Sequence, residues 1–162
     1  MRMQMQITPI PADFLIRVRE RGLDDQLKPV RRMIATGGEP CRDALRRAQP
    51  GEEIILASYC PYANNGPYKE FGPIFVFAQP HDTPAARMQL PWQGGDEAGE
   101  SYMDERFVLR AYSADEDILE GEMVTRTEAR AMAEHMLARG DVAFVQGRFP
   151  GHGCYAFKLS AV

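Results

Sequence analysis

Two short stretches combine reactive side chains with turn-forming residues: Pro40-Cys41-Arg42, and Gly151-His152-Gly153-Cys154-Tyr155. A turn at the end of a rigid sheet is a common place to build a site. A cationic neighbour such as Arg42 lowers a thiol pKa and makes the nucleophilic thiolate available near neutral pH. Cys41, Cys154 and His152 are therefore the candidate catalytic residues. The alternative for Cys41 is a small buried side chain with Arg42 in a structural ion pair, since adjacent residues on a strand point in opposite directions. His152 and Cys154 supply two soft ligands, whereas a closed zinc site needs about four. The other histidines, His81 and His135, are far away in sequence, and neither Cys-x-x-Cys nor His-x-x-x-His occurs. No metal and no cofactor is expected.

Binding residues are suggested by a second group. Arg42 and Arg110 can hold a carboxylate or phosphate in a bidentate grip. Tyr62, Tyr68 and Tyr155 can supply aromatic walls. Tyr62 and Tyr68 lie in Tyr59–Gly72, a long connection dense in Tyr, Asn, Pro and Gly, and such connections are often functional. An ordered surface loop whose tyrosines cover core edges is the structural alternative. Arg110 and Tyr112 share the strand face opposite Phe107, Leu109 and Ala111, so Arg110 either anchors an anion or is solvated on an exposed sheet face. Asp115, Glu116 and Asp117 lack the spacing and glycine of a calcium loop. Gly-rich phosphate loops, G-x-S-x-G elbows and H-E-x-x-H helices are absent.

The elements that must position these groups are mostly strands. Apolar runs of strand length occur at residues 29–35, 54–57 and 73–78, and the 106–112 and 118–124 segments pair as a hairpin. Residues 141–146 and 155–159 make a closing hairpin. Residues 7–28 fit either an amphipathic turn of helix or an extended arm. Thr125 and Glu128 form a capping box, followed by an apolar stripe of Ala129, Met132, Ala133, Met136 and Leu137, with Gly140 as the C-terminal stop. His135 lies outside the stripe, on the solvated side. These signals predict an α+β fold: a mainly antiparallel sheet with one clear amphipathic helix, about 125–139, packed on it. The whole chain, 1–162, reads as a single globular domain with a long acidic Pro/Gly-rich excursion at about 79–105, pinned by Trp92.

Composition narrows the function classes. At 162 residues the chain can bury roughly 70% of its unfolded surface, so a core needs no staple. Residues 1–50 carry ten Lys/Arg against six Asp/Glu, and residues 51–162 carry nine against seventeen. The halves stand at +4 and −8, which reads as two oppositely charged faces of one domain. No Lys/Arg run exceeds two residues and no nucleic-acid-binding motif occurs, so nucleic acid is not an expected partner. Three cysteines, at 41, 60 and 154, do not make a disulfide framework. Neither the apolar region of a signal peptide nor a membrane-length apolar run is present. A cytoplasmic protein with reduced thiols is expected. An exposed edge strand could pair two copies into a homodimer.

Several pieces taken in order resemble one family. They are Gly38-Glu39-Pro40-Cys41-Arg42, Ala48-Gln49-Pro50-Gly51-Glu52, Gly66-Pro67-Tyr68 leading to Gly72-Pro73-Ile74-Phe75-Val76, Arg110-Ala111-Tyr112-Ser113-Ala114-Asp115, and Gly151-His152-Gly153-Cys154-Tyr155. Together they resemble the bacterial family known as domain of unknown function 1203. The resemblance implies a small, soluble, bacterial single-domain protein and brings no reaction with it. It gives no reason to expect His152 as a catalytic residue, and the segment 79–105 departs from the family pattern.

Two readings stay open. In one, the protein binds a small anionic molecule, with or without chemistry, where the Cys41-Arg42 turn, the Tyr59–Gly72 loop and the His152–Tyr155 turn meet. In the other it is a non-catalytic interaction or structural protein whose motif residues only fix turns.

Overall fold

The computed structural model describes residues 2–81, 89–94 and 101–162. Its ten described strands form two five-stranded sheets. The first contains β1 (Met5–Ile7), β7 (Arg106–Tyr112), β8 (Ile118–Thr125), β9 (Phe144–Arg148) and β10 (Tyr155–Ala161), in the order β1-β10-β9-β7-β8, antiparallel throughout. The second contains β2 (Arg31–Ile34), β3 (Pro40–Cys41), β4 (Arg46–Arg47), β5 (Glu53–Tyr59) and β6 (Gly72–Phe77), in the order β2-β5-β6-β3-β4. Among the described strands only β3 and β6 run parallel, with Cys41 opposite Phe75. The protein is thus α+β and mostly antiparallel. The expected strands are present, divided between two sheets.

Period-two alternation decides which side of the first sheet is covered. Phe107, Leu109 and Ala111 of β7 are fully buried and pack with Val145, Phe157 and Leu159. Helix α2 (Ala129–Leu137) closes this face through Ala129, Ala133, Met136 and Leu137. The capping box forms: the Glu128 carboxylate accepts from the Thr125 amide at 3.0 Å, and the Thr125 hydroxyl accepts from the Glu128 amide at 3.3 Å. His135 is exposed. The helix stops earlier than Gly140 suggests, because Ala138 caps it in a right-handed conformation and Gly140 does not adopt positive φ. Gly147 on β9 is required by close packing. A Cβ there would lie 2.2 Å from the Phe157 ring.

Residues 7–28 resolve into strand and helix. After β1, helix α1 (Ala12–Ile16) runs into a π-helical turn, Arg17–Arg21, and ends at Gly22 with φ 67°. Phe14 and Val18 lie on Ile55, Ala57, Tyr59, Ile74 and Val76, covering one face of the second sheet. At one end of its other face, Ile54 and Phe77 are buried with Cys41, Ala44 and Ala48. Of the 79–105 segment, residues 82–88 and 95–100 lie outside the described residues. The described remainder contributes Leu90, Trp92, Tyr102 and Met103 to the α2-side core, and Trp92 stacks on Phe107 with centroids 6.0 Å apart. Among the described residues, no helix is long and apolar enough to cross a membrane.

Candidate functional site

A cleft of about 620 Å³ lies over the face of the second sheet that α1 does not cover. Leu56, Pro73 and Phe75 line it, and β5 and β6 bring Leu56 directly opposite Phe75. The loop Thr36–Pro40 bounds one side, and Phe149, Gly151, His152 and Cys154 of the β9–β10 turn bound another. Arg42, Arg47 and Asp104 complete the lining. The turn is held by reciprocal backbone bonds between Phe149 and the Gly153–Cys154 pair, with Gly153 at φ 71°.

Arg42 joins the two sheets at this point. Its Nε donates to the Tyr155 carbonyl at 2.8 Å and its Nη1 to the Pro40 carbonyl at 2.6 Å. The guanidinium stacks over Phe149 at 5.0 Å, and the residue is only 4% exposed. Among the described residues it meets no carboxylate, and its Nη2 makes no hydrogen bond. Burial lowers its pKa below the ordinary arginine value. The expected structural ion pair for Arg42 is therefore not found. A buried guanidinium normally faces a carboxylate.

The other cleft charges are occupied. Arg47 pairs with Asp104 at 3.1 Å and donates to the Ser101 and Gly38 carbonyls. The Glu39 carboxylate accepts from the Thr36 and Gly37 amides, each at 2.9 Å, and from the Thr36 hydroxyl. Burial works against its charge, yet these donors hold the carboxyl below its ordinary value.

The cysteines divide. Cys41 is fully buried among Ala44, Ala48 and Phe77, and burial, with Asp43 nearby, pushes its thiol far above the ordinary range. This placement matches the small buried cysteine and not the reactive thiol. Cys154 is half-buried on the cleft wall, with Sγ 3.8 Å from the His152 carbonyl, and His152 is exposed at the rim. Among the described residues, no three His, Cys, Asp or Glu side chains converge as a metal set.

The Tyr59–Gly72 loop goes elsewhere. It covers the face of the first sheet that α2 leaves free, pinned by the Glu116 carboxylate, which accepts from the Ala63 and Asn64 amides. Tyr62 is buried there, its hydroxyl 2.7 Å from that of Tyr112. Burial and the Tyr112 hydroxyl push the Tyr62 phenol up, so it stays a neutral hydroxyl. Arg110 lies 3.7 Å from Glu70 and is neither free nor fully solvated. Tyr68 is exposed, and the Tyr155 ring turns away from the cleft to pack edge-on against Tyr59. Tyr62, Tyr68, Arg110 and Tyr155 are therefore not among the residues lining the cleft.

Arg148, unremarked in the sequence, connects the two regions. Its Nη2 donates to the Tyr62 hydroxyl at 2.7 Å and to Gln146 Oε1 at 2.9 Å. Its Nη1 pairs with Glu70 at 2.7 Å and reaches the Gly153 carbonyl at 3.2 Å. The available signal was the continued alternation Val145-Gln146-Gly147-Arg148, which puts two long polar side chains on the face that Arg110 and Tyr112 share.

A family model described as protein of unknown function, DUF1203, matches residues 38–160. The chain belongs to the DUF1203 family. No curated protein and no solved structure matches it. The match to DUF1203 takes in Gly38–Arg42 and Gly151–Cys154, so it covers the Phe149–Cys154 turn and the Thr36–Pro40 loop from Gly38 onward, whereas β1, α1 and β2 precede it.

Proposed function

We propose that this DUF1203 protein binds a small anionic molecule in the cleft between the Thr36–Pro40 loop and the Phe149–Cys154 turn. Arg42 is the anchor. The observation that carries the reading is a guanidinium 4% exposed, on a cleft wall, with no carboxylate partner among the described residues. An incoming anion supplies the missing countercharge in a site of low dielectric, where a charge-assisted bond is strong. Cys154 and His152 at the same wall are the groups through which any chemistry would act; Cys41 is not one of them. The three unpaired cysteines support a reducing, cytoplasmic setting.

A ligand that binds only the folded state raises the melting temperature by mass action. Thermal shift with a panel of carboxylates and phosphate esters is the test. A saturable shift, lost in Arg42→Gln, is the expected result. No shift from any anion at millimolar concentration would overturn the reading.

The structural alternative draws on Cys41 and Tyr155, which are buried and packed in cores. In that reading Arg42 serves only to tie Pro40 to Tyr155. It predicts that Arg42→Gln destabilises the fold and that no anion protects it.

A further inference from the structure

We propose that the anion is a single carboxylate carried on an apolar body, and not a phosphate ester, a dicarboxylate or a polyhydroxylated acid. The inference rests on the cleft being an anion site, and deepens it by naming the ligand class.

Charge balance limits the ligand to one negative group. Among the described residues, Arg42 is the cleft arginine without a carboxylate, because Arg47 is neutralised by Asp104 and fastened to two carbonyls. The Glu39 carboxylate lines the same cleft and is kept ionised by the Thr36 and Gly37 donors. A phosphate monoester carries about −1.5 to −2 charge at pH 7. Its second charge would find no unpaired arginine among the described residues of the cleft, where Glu39 is already negative and His152 sits exposed at the rim. Arg42 already spends Nε and one Nη1 proton on carbonyls, so the open Nη2 end suits one small, planar group.

The apolar part of the lining, the sheet face and the Phe149 ring, sets the body. Leu56, Pro73 and Phe75 offer no side-chain hydrogen-bonding group, and Phe149 adds an aromatic wall. Hydroxyls buried against them would lose water without a replacement. A hydrocarbon chain or ring gains from the same burial. A cleft of about 620 Å³ falls within the range for small-molecule pockets.

The experiment uses the full chain at pH 7.5 and four probes: 3-phenylpropionate, its primary amide, 2-phenylethyl phosphate and acetate. Dissociation constants come from ¹H–¹⁵N shift titrations that follow the amides of Gly38, Gly151, Gly153 and Cys154. The expected result is that 3-phenylpropionate moves these amides and binds at least about tenfold tighter than each of the others, equivalent to about 1.4 kcal/mol. Arg42→Lys, which keeps the charge but not the planar fork, should weaken it about tenfold. Equal or tighter binding of the phosphate overturns the single-charge inference and leaves the anion site standing. Equal binding of acetate overturns the apolar body. Equal binding of the amide, or no shift with any probe, overturns the anion site itself. The wild-type comparisons decide these points even if an Arg42 variant fails to fold.

Discussion

Arg148→Met is the substitution that most directly tests how the cleft is supported. The arginine is 4% exposed and makes four polar contacts: the Tyr62 hydroxyl, Gln146 Oε1, Glu70 and the Gly153 carbonyl. Hydrogen bonds that involve a charged group are worth about 1.5–3 kcal/mol each when buried. The Tyr62 and Gln146 bonds are both buried. Glu70 is half exposed, so losing its partner leaves a carboxylate that water can rehydrate, and that contact adds little. Removing the arginine also relieves its own desolvation, which offsets part of the loss. The net cost is about 2–4 kcal/mol. For a domain of this size that lowers the melting temperature by roughly 5–15 °C. Urea unfolding, followed through the single, buried Trp92, measures it, and Glu70→Gln serves as the comparison at under about 1 kcal/mol. In Arg148→Met the Gly153 and Cys154 amides should also shift, because the Nη1 tie to the Gly153 carbonyl is gone. A cost below about 1 kcal/mol would refute the network as a support. So would equal costs for the two variants, which would locate the whole effect in the exposed pair.

Three further outcomes follow from the same geometry. Iodoacetamide at pH 8 should label Cys154 and Cys60 in the folded protein and Cys41 only after denaturation, read by peptide mass spectrometry; early labelling of Cys41 would contradict its burial. Gly147→Ala forces a methyl to within 2.2 Å of the Phe157 ring and should cost at least about 1–3 kcal/mol, partly recovered by adding Phe157→Leu; a neutral Gly147→Ala in denaturant unfolding would show that the ring moves freely. Glu52 is gripped by Arg46 at 2.9 and 2.8 Å, which holds its carboxyl at about 2 against an ordinary 4.5. A depressed folded value means this contribution is complete above pH 4.5 and is lost as pH falls toward 2. Glu52→Gln should flatten the stability-against-pH curve in that window, and an unchanged slope would show that the pair contributes nothing there.

What the sequence revealed depended on whether a signal was local. The Thr125–Glu128 box, the stripe from Ala129 to Leu137 and the alternation in Arg106–Tyr112 each report a choice made within a few residues, and each element formed. The division into two sheets was not legible, because no residue in β5 or β7 records which strand it will pair with. The same limit shaped the site. Two of the three turns expected to meet do so, joined by the bond from Arg42 Nε to the Tyr155 carbonyl. The third, Tyr59–Gly72, was drawn instead to the first sheet by polar groups it had to satisfy: Arg110, Gln146 and Arg148 share one face, and a buried face of that kind needs a polar cover. The tyrosines followed the loop, so Tyr62 lies in the Arg148 and Tyr112 network, outside the lining of the cleft.

Arg42 and Arg148 show why residue type alone could not sort binding from scaffolding. Both are 4% exposed, both donate to backbone carbonyls of the β9–β10 region, and both lie within the residues the family model matches. They differ in their countercharge. Glu70 lies 2.7 Å from Arg148, and the polar face is covered by the loop that carries it. Arg42 has carbonyls, the Phe149 ring and an open cleft, with no carboxylate among the described residues. Burying a cation costs several kcal/mol unless it is paired. The fold meets that cost for Arg148 from within the chain. For Arg42, among the described residues, two carbonyls and the ring offset it, and the cleft is where an anion can complete the balance. That difference in countercharge separates the two arginines, and the proposed anion site rests on it.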